Sequence, residues 1–192
     1  IQWAVANGET VTGVTTMFIN ERMDEGDIIL QDEITIEGKD TAESMCEKIA
    51  SRGANLILKT LKAIDNGTAV RVPQDNSKAT YARKLTKEDG RIDWTMPARA
   101  IYNRVRGFLP WPGTYCFARS GDEESRLAVL KASVEDGDGK PGEVISVDGE
   151  GPLIAAGDGA LRLLEVRPAG RKIMSGQDYV RGHSVSVGQF IS

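Results

Sequence analysis

The chain has 192 residues, 40% hydrophobic and 27% charged, with a net charge of −4; this is the make-up of one large globular domain or two small ones, and it excludes bulk disorder and collagen-like repeats. No apolar run approaches the roughly 18 residues of a membrane span, and no signal-peptide pattern opens the chain. Cys46, Cys116 and a single histidine, His183, are too few for a disulfide framework or a structural zinc site, and a reducing compartment is the simplest setting.

Ile1 to Gly8 places apolar residues at helical spacing and stops at Asn7-Gly8, yet it has no N-cap of its own. An uncapped, apolar opening helix is expected to follow further protein, so the chain reads as a fragment. The β-branched run Thr12–Ile19 predicts a strand and Asp27–Ile36 a second; the polar loop Asn20–Gly26 joins them as a hairpin. Asp40-Thr41-Ala42-Glu43 has the form of a capping box, and Met45, Ile49, Ile57, Leu61 and Ile64 recur at helical spacing to Asn66-Gly67. That predicts an amphipathic helix of about 25 residues, roughly 37 Å long.

Residues 68–90 are polar and basic, hold Pro73, and read as a linker. Met96–Arg106 has a proline near its start and Gly107 past its end, the asymmetry of a helix. Ile101 and Val105 share its apolar face, with Arg99, Arg104 and Arg106 turned elsewhere. Five short strands follow, at Thr114–Ala118, Arg126–Ser133, Gly142–Val147, Leu153–Ala156 and Ala160–Val166, with a tight turn at Gly157-Asp158-Gly159 and a short helix near Gln177–Val180. Five strands in so short a span suggest a small barrel of the oligonucleotide-binding type.

Charge is distributed in blocks. Residues 1–70 carry net −6, 71–119 net +6, 120–165 net −7 and 166–192 net +3. Two basic blocks can form a local basic face, although the counts alone favour charge scattered on solvated loops. Met23-Asp24-Glu25-Gly26-Asp27 is first of all a turn, with too few alternating ligands for calcium. Phe108–Gly113 reads as an aromatic staple of a helix on a sheet, with Trp111 as a candidate stacking surface. Arg171-Lys172 after a glycine turn, and the Tyr81–Lys87 stretch, are basic loops able to neutralise phosphates. His183 reads as a surface residue. The sequence holds no phosphate-binding glycine loop, nucleophile elbow or Cys–His pairing. These features favour a nucleic-acid binding module slightly over an enzyme.

Seven stretches, in order and spacing, resemble the methionyl-tRNA formyltransferases: Ile1–Ala4, Thr12–Thr15, Met23–Asp27, Lys84–Glu88, Arg91–Trp94, Pro110–Pro112 and Pro168–Met174. The resemblance implies an α/β fragment, the C-terminal part of a Rossmann-like formyltransferase domain at residues 1–70. A linker at 71–90 and an OB-fold-like β-barrel that holds tRNA at 91–192 would follow. It implies formyl transfer from 10-formyltetrahydrofolate to the amino group of initiator methionyl-tRNA in the cytoplasm, without a metal or a membrane partner.

On this likeness Asp24 is the catalytic aspartate, and Glu21, Arg22 and Met23 lie against the folate pterin through their backbone groups. Arg83, Lys84, Lys87, Arg171 and Lys172 contact tRNA. The catalytic Asn and His and the folate-site segment belong upstream of Ile1, so the fragment alone is expected to be inactive. Ile1–Val5 and the apolar face of the long helix are then expected to lack their cover. Sugar formyltransferases, formyltetrahydrofolate dehydrogenases and a stand-alone RNA-binding module remain alternative readings.

Overall fold

A computed structural model describes residues 1–120 and 123–192. It has two units, one of Ile1 with Glu9–Lys84 and one of Gln2–Gly8 with Leu85–Ser192. Both are built from helices and antiparallel strands, a mixed α/β fold.

In the first unit the two β-branched runs form the expected hairpin. Strand β1 (Val11–Met17) pairs antiparallel with β2 (Ile28–Thr35), and a register shift falls between Thr16 and Met17. Along β2, Gln31, Glu33 and Thr35 face solvent while Ile34 is buried, the period of two that a half-covered strand requires. Helix α2 (Ala42–Asp65) lies on the hairpin through Met45, Leu56 and Thr60, and the Thr60 hydroxyl is 2.8 Å from that of Thr16.

The capping box sits one residue later than the sequence suggests. Thr41, not Asp40, is the N-cap, and Thr41 and Ser44 exchange hydrogen bonds of 3.1 Å between side chain and backbone. Asp40 instead turns inward and accepts from the Glu37 N–H, the Ser44 hydroxyl and the Lys48 ammonium. Burial pushes its carboxyl up, but Lys48 and these hydrogen bonds outweigh it and hold the group below the ordinary range. The apolar face expected to lack cover is exposed in its later part, at Ile57, Leu61 and Ile64 with Leu58 beside them, whereas Met45 of the same predicted face is fully buried.

The expected exposure of the opening segment holds for Ile1 but not for Val5, which is fully buried. The reason lies within the second unit. Helix α1 (Gln2–Ala6) packs on helix α3 (Ala98–Gly107), so closely at Gly107 that a Cβ there would stand 2.6 Å from the Ala6 nitrogen. Phe108 is the staple, sealed among Ala6 and Leu85, with the Trp3 ring edge-on at 5.5 Å. Trp111 is 46% exposed.

Ile101 and Val105 are buried as their spacing predicts. Arg106 departs from expectation, since it too is buried. Its Nε donates to Asn103 Oδ1 at 3.0 Å and its guanidinium stands 5.9 Å from the centroid of the Tyr102 ring, partners that a buried cation needs.

The five predicted strands are present as β3 (Thr114–Ser120), β4 (Glu123–Glu135), β5 (Val144–Ser146), β6 (Leu153–Ala155) and β7 (Ala160–Pro168). A two-residue β8 (Met174–Ser175) pairs with β7 and leads into helix α4 (Gly176–Gly182). The sheet runs in the order β3-β4-β7-β6-β5. The strands do not close a barrel: among the described residues β3 and β5 stand at opposite ends of this path. The C-terminal residues take up both edges instead. Val144 exchanges backbone hydrogen bonds with Gly188 and Gln189, and Phe117 with Ser192. Beneath the sheet, Leu127, Val129, Val144, Ile154, Leu161, Leu163 and Val166 form the core with Ile101 and Val105 of α3.

Candidate functional sites

The acidic loop of the first unit is held more firmly than a surface turn needs to be. Phe18 N–H donates to Asp27 O at 2.9 Å, and Ile28 and Val72 exchange backbone hydrogen bonds, so the stretch after α2 adds a short rung beside β2. Gln74 Nε2 reaches across from that stretch and donates to both Asp24 O (2.9 Å) and Gly26 O (2.7 Å). The Arg71 guanidinium lies 3.7 Å over the Phe18 ring and reaches Asp27 at 3.5 Å. Gly26 is buried, and a Cβ at that position would fall 1.6 Å from Phe18 O. Only glycine fits where two backbones pass so closely.

Asp24 stands at the exposed tip, at φ 58°, in the left-handed region that aspartate and asparagine tolerate better than most residues. Its backbone carbonyl is fixed by Gln74, while its carboxylate makes no hydrogen bond or ion pair among the described residues. Glu21, Arg22 and Met23 share the loop with it. Met23 is 88% exposed, and Arg22 is tied to Glu25 at 3.2 Å. These four consecutive residues lie on one exposed loop, braced by Gln74 at the Asp24 and Gly26 carbonyls. The braces themselves, Arg71 and Gln74, fall in the stretch that reads as a linker, because contacts between distant segments leave no periodic trace.

The predicted cations divide between the units. Arg83 and Lys84 end the first; Lys87 is exposed near the start of the second. Arg171 and Lys172 are exposed on the turn between β7 and β8, which the Arg171 N–H to Pro168 O bond closes at 3.1 Å, with Gly170 at φ 69°. Beside this turn lies a groove of about 580 Å³ lined by Pro110, Pro112, Arg126, Arg167, Gly170 and Arg171, among others. Arg126 and Arg167 escape a sequence reading. Each alternates with a core residue along its strand, and only the pairing of β4 with β7 brings them to one place.

His183 is half-buried, its ring stacked on Tyr179 at 4.6 Å with Nδ1 3.2 Å from the Tyr179 carbonyl. Burial pushes the Cys116 thiol up to about 12, so this cysteine stays protonated and unreactive. Among the described residues no group of three or more His, Cys, Asp and Glu side chains could hold a metal ion, and no helix is long and apolar enough to cross a membrane.

Residues 1–61 match the family model described as formyl transferase, and residues 84–184 the one described as formyl transferase, C-terminal domain. A methionyl-tRNA formyltransferase of Thermodesulfovibrio yellowstonii is 40% identical over 188 residues, which is 98% of this chain and 59% of that protein. The chain thus spans about three fifths of the length of this curated relative. Among solved structures, HypX from Aquifex aeolicus in complex with tetrahydrofolic acid superimposes with a TM-score of 0.67 at 22% identity, over 97% of this chain and 33% of that one. An N-formyltransferase from Helicobacter canadensis in complex with folinic acid and dTDP-3-aminofucose gives 0.63 at 21% identity, over 83% of this chain and 58% of that one. At those identities the structures speak for the fold alone.

Proposed function

This chain belongs to the formyltransferase family, and we propose that it is the later part of a cytoplasmic methionyl-tRNA formyltransferase. In this reading, residues 1–70 complete the catalytic domain, 71–90 connect, and 91–192 form a tRNA-binding domain related to the OB-fold. The whole enzyme moves a formyl group from 10-formyltetrahydrofolate to the amino group of initiator methionyl-tRNA. The observation that carries the reading is the likeness to the Thermodesulfovibrio yellowstonii protein along nearly the whole chain.

The chemistry gives Asp24 a task. The methionine amine attacks the formyl carbon, the C–N bond to the folate breaks, and the amine proton passes toward the departing folate nitrogen. A carboxylate at that place stabilises the cationic nitrogen of the tetrahedral intermediate and orients the group that carries the proton. Gln74 braces the backbone of the loop tip from which this carboxylate projects. The exposed Met23 side chain offers apolar contact to a flat pterin. Glu21 and Arg22 flank it, with the Arg22 charge already engaged by Glu25.

The test is formyl transfer by this sequence carried within a protein of its relatives' full length. With labelled 10-formyltetrahydrofolate, the expected acceptor is charged initiator tRNA and not a dTDP-amino sugar, and the 192-residue chain alone is expected to give no product. Formylation of the amino sugar, or turnover by the 192 residues alone, would overturn the reading.

Arg83, Lys84, Lys87, Arg171 and Lys172 are assigned to the tRNA backbone. The side chains of Lys84 and Lys87 are exposed and have no acidic partner among the described residues. Replacing both by alanine is expected to lower the slope of log affinity against log salt by about two, one for each lost phosphate contact. An unchanged slope in a titration between low and moderate salt removes the two lysines from the footprint.

A further inference from the structure

The outer face of β3, β4 and β7 collects arginines. Tyr115 and Phe117 of β3 stand across from Ala128 and Arg126 of β4, and Ala128 is also paired with Arg167 of β7. Paired residues in a sheet point to the same side, so Tyr115, Phe117, Arg126 and Arg167 share one face. Residues of opposite parity, Cys116, Leu127 and Val166, are buried in the core below. Arg171 approaches the same place on the turn after β7, and Arg126, Arg167 and Arg171 line the groove beside Pro110 and Pro112.

Elsewhere in the chain Arg52, Arg71 and Arg162 each meet a carboxylate, Asp32, Asp27 and Glu135 in turn. Arg126, Arg167 and Arg171 make no side-chain ion pair or hydrogen bond among the described residues. Arg126 instead lies on the Tyr115 ring, 3.9 Å from its centroid, and the Tyr115 and Phe117 rings meet edge to face at 5.7 Å. The ring holds the guanidinium in place without consuming its N–H donors. Glu124 and Glu165 stand two residues before Arg126 and Arg167 on β4 and β7. Three cations with free donors along one groove repel one another unless an anionic chain neutralises them.

We infer that the groove formed by Arg126, Arg167 and Arg171 is a contact for consecutive phosphates of an RNA backbone, with Arg126 preset for it by Tyr115. The inference rests on the reading of the substrate as a tRNA, and adds to it Arg126 and Arg167, which lie outside the five cations assigned above. The match is one of geometry: guanidinium forks suit phosphate oxygens, and the proline and glycine rim leaves the groove open to a backbone.

The test uses the 192-residue chain and labelled, uncharged initiator tRNA, with affinity measured from about 50 to 200 mM salt. Arg126→Ala with Arg167→Ala is expected to weaken binding about tenfold or more and to lower the salt slope by about two. Replacing both by lysine is expected to keep the slope, because charge is retained, while affinity falls through loss of the planar fork. In the unaltered chain, bound tRNA is expected to protect Arg126 and Arg167 from phenylglyoxal, a readout independent of how any variant folds. Unchanged affinity and slope in the alanine pair, or no protection, overturns the groove contact and leaves the tRNA reading standing. No binding of tRNA by the unaltered chain overturns both. Competition by dTDP or pyrophosphate at concentrations comparable to tRNA overturns the RNA assignment and marks the groove as a nucleotide-diphosphate site.

Discussion

Asp24→Asn should reduce kcat for formyl transfer by about 10²–10⁴-fold in an enzyme carrying this chain at its relatives' full length, the range for removing a positioned proton-handling group. Asparagine is the informative replacement. It tolerates the left-handed conformation that Asp24 adopts at φ 58°, and it leaves the backbone carbonyl free to accept from Gln74. The substitution therefore removes the negative charge and little else, whereas alanine would also disturb the loop.

Because Asp24 is not among the basic residues assigned to tRNA, KM for the tRNA is expected to stay close to its original value. The loss should fall on kcat and on kcat/KM together, the signature of an interaction made only in the transition state. Rates of labelled formyl incorporation at saturating 10-formyltetrahydrofolate measure it. An Asp24→Asn variant within about twofold of the unaltered enzyme would place the proton-handling role elsewhere and reduce the loop to a structural turn.

The braces beneath Asp24 explain why sequence reading reaches the residue but not its support. The β-branched runs and the Asn20–Gly26 interval announce a hairpin, and resemblance singles out its acidic tip. Gln74, which fixes Asp24, lies in a stretch with no periodicity, indistinguishable in sequence from a linker. Its role depends on a rung between Ile28 and Val72 that joins segments 44 residues apart.

The same division runs through the second unit. Short apolar runs set between turn signals locate all five strands. Closure and register are long-range properties. The C-terminal residues fill the edges that a barrel would have joined, and the β4–β7 pairing that gathers Arg126 and Arg167 is invisible along either strand alone. At the N-terminus of α2, both Asp40 and Thr41 are good caps. The demand of the Lys48 ammonium for a counter-ion draws Asp40 inward and leaves Thr41 the cap.

Arg162→Ala should be among the most destabilising single replacements on this sheet, by about 3 kcal/mol, the lower end of the range for breaking a buried ion pair. The lower end applies because Glu135 keeps 36% of its side-chain surface in solvent, although Arg162 keeps only 14%. Arg162 Nε and Nη2 grip the two oxygens of Glu135 at 2.6 and 2.8 Å, and Nη1 donates to Asp148 O and Gly151 O at 2.6 and 2.7 Å. One side chain thus ties β7 to β4 and to the loop before β6, and its removal strands a carboxylate and two carbonyls.

Lysine should recover little, since a single ammonium cannot reproduce the two-pronged grip on Glu135 while also reaching the two carbonyls. The pH dependence separates the ion pair from loss of packing. Hydrogen bonds from Arg162 hold the Glu135 carboxyl below its ordinary range despite partial burial. Its folded pKa is therefore lower than its unfolded one. The stabilisation is complete above the unfolded value, near pH 4.3, and drains away as pH falls through the folded value. Urea denaturation at about pH 7 should show the full gap between the alanine variant and the unaltered protein, and the gap should narrow below about pH 4. A gap that stays constant across that range would assign the loss to packing and to the Asp148 and Gly151 carbonyls, with the Glu135 pair contributing nothing.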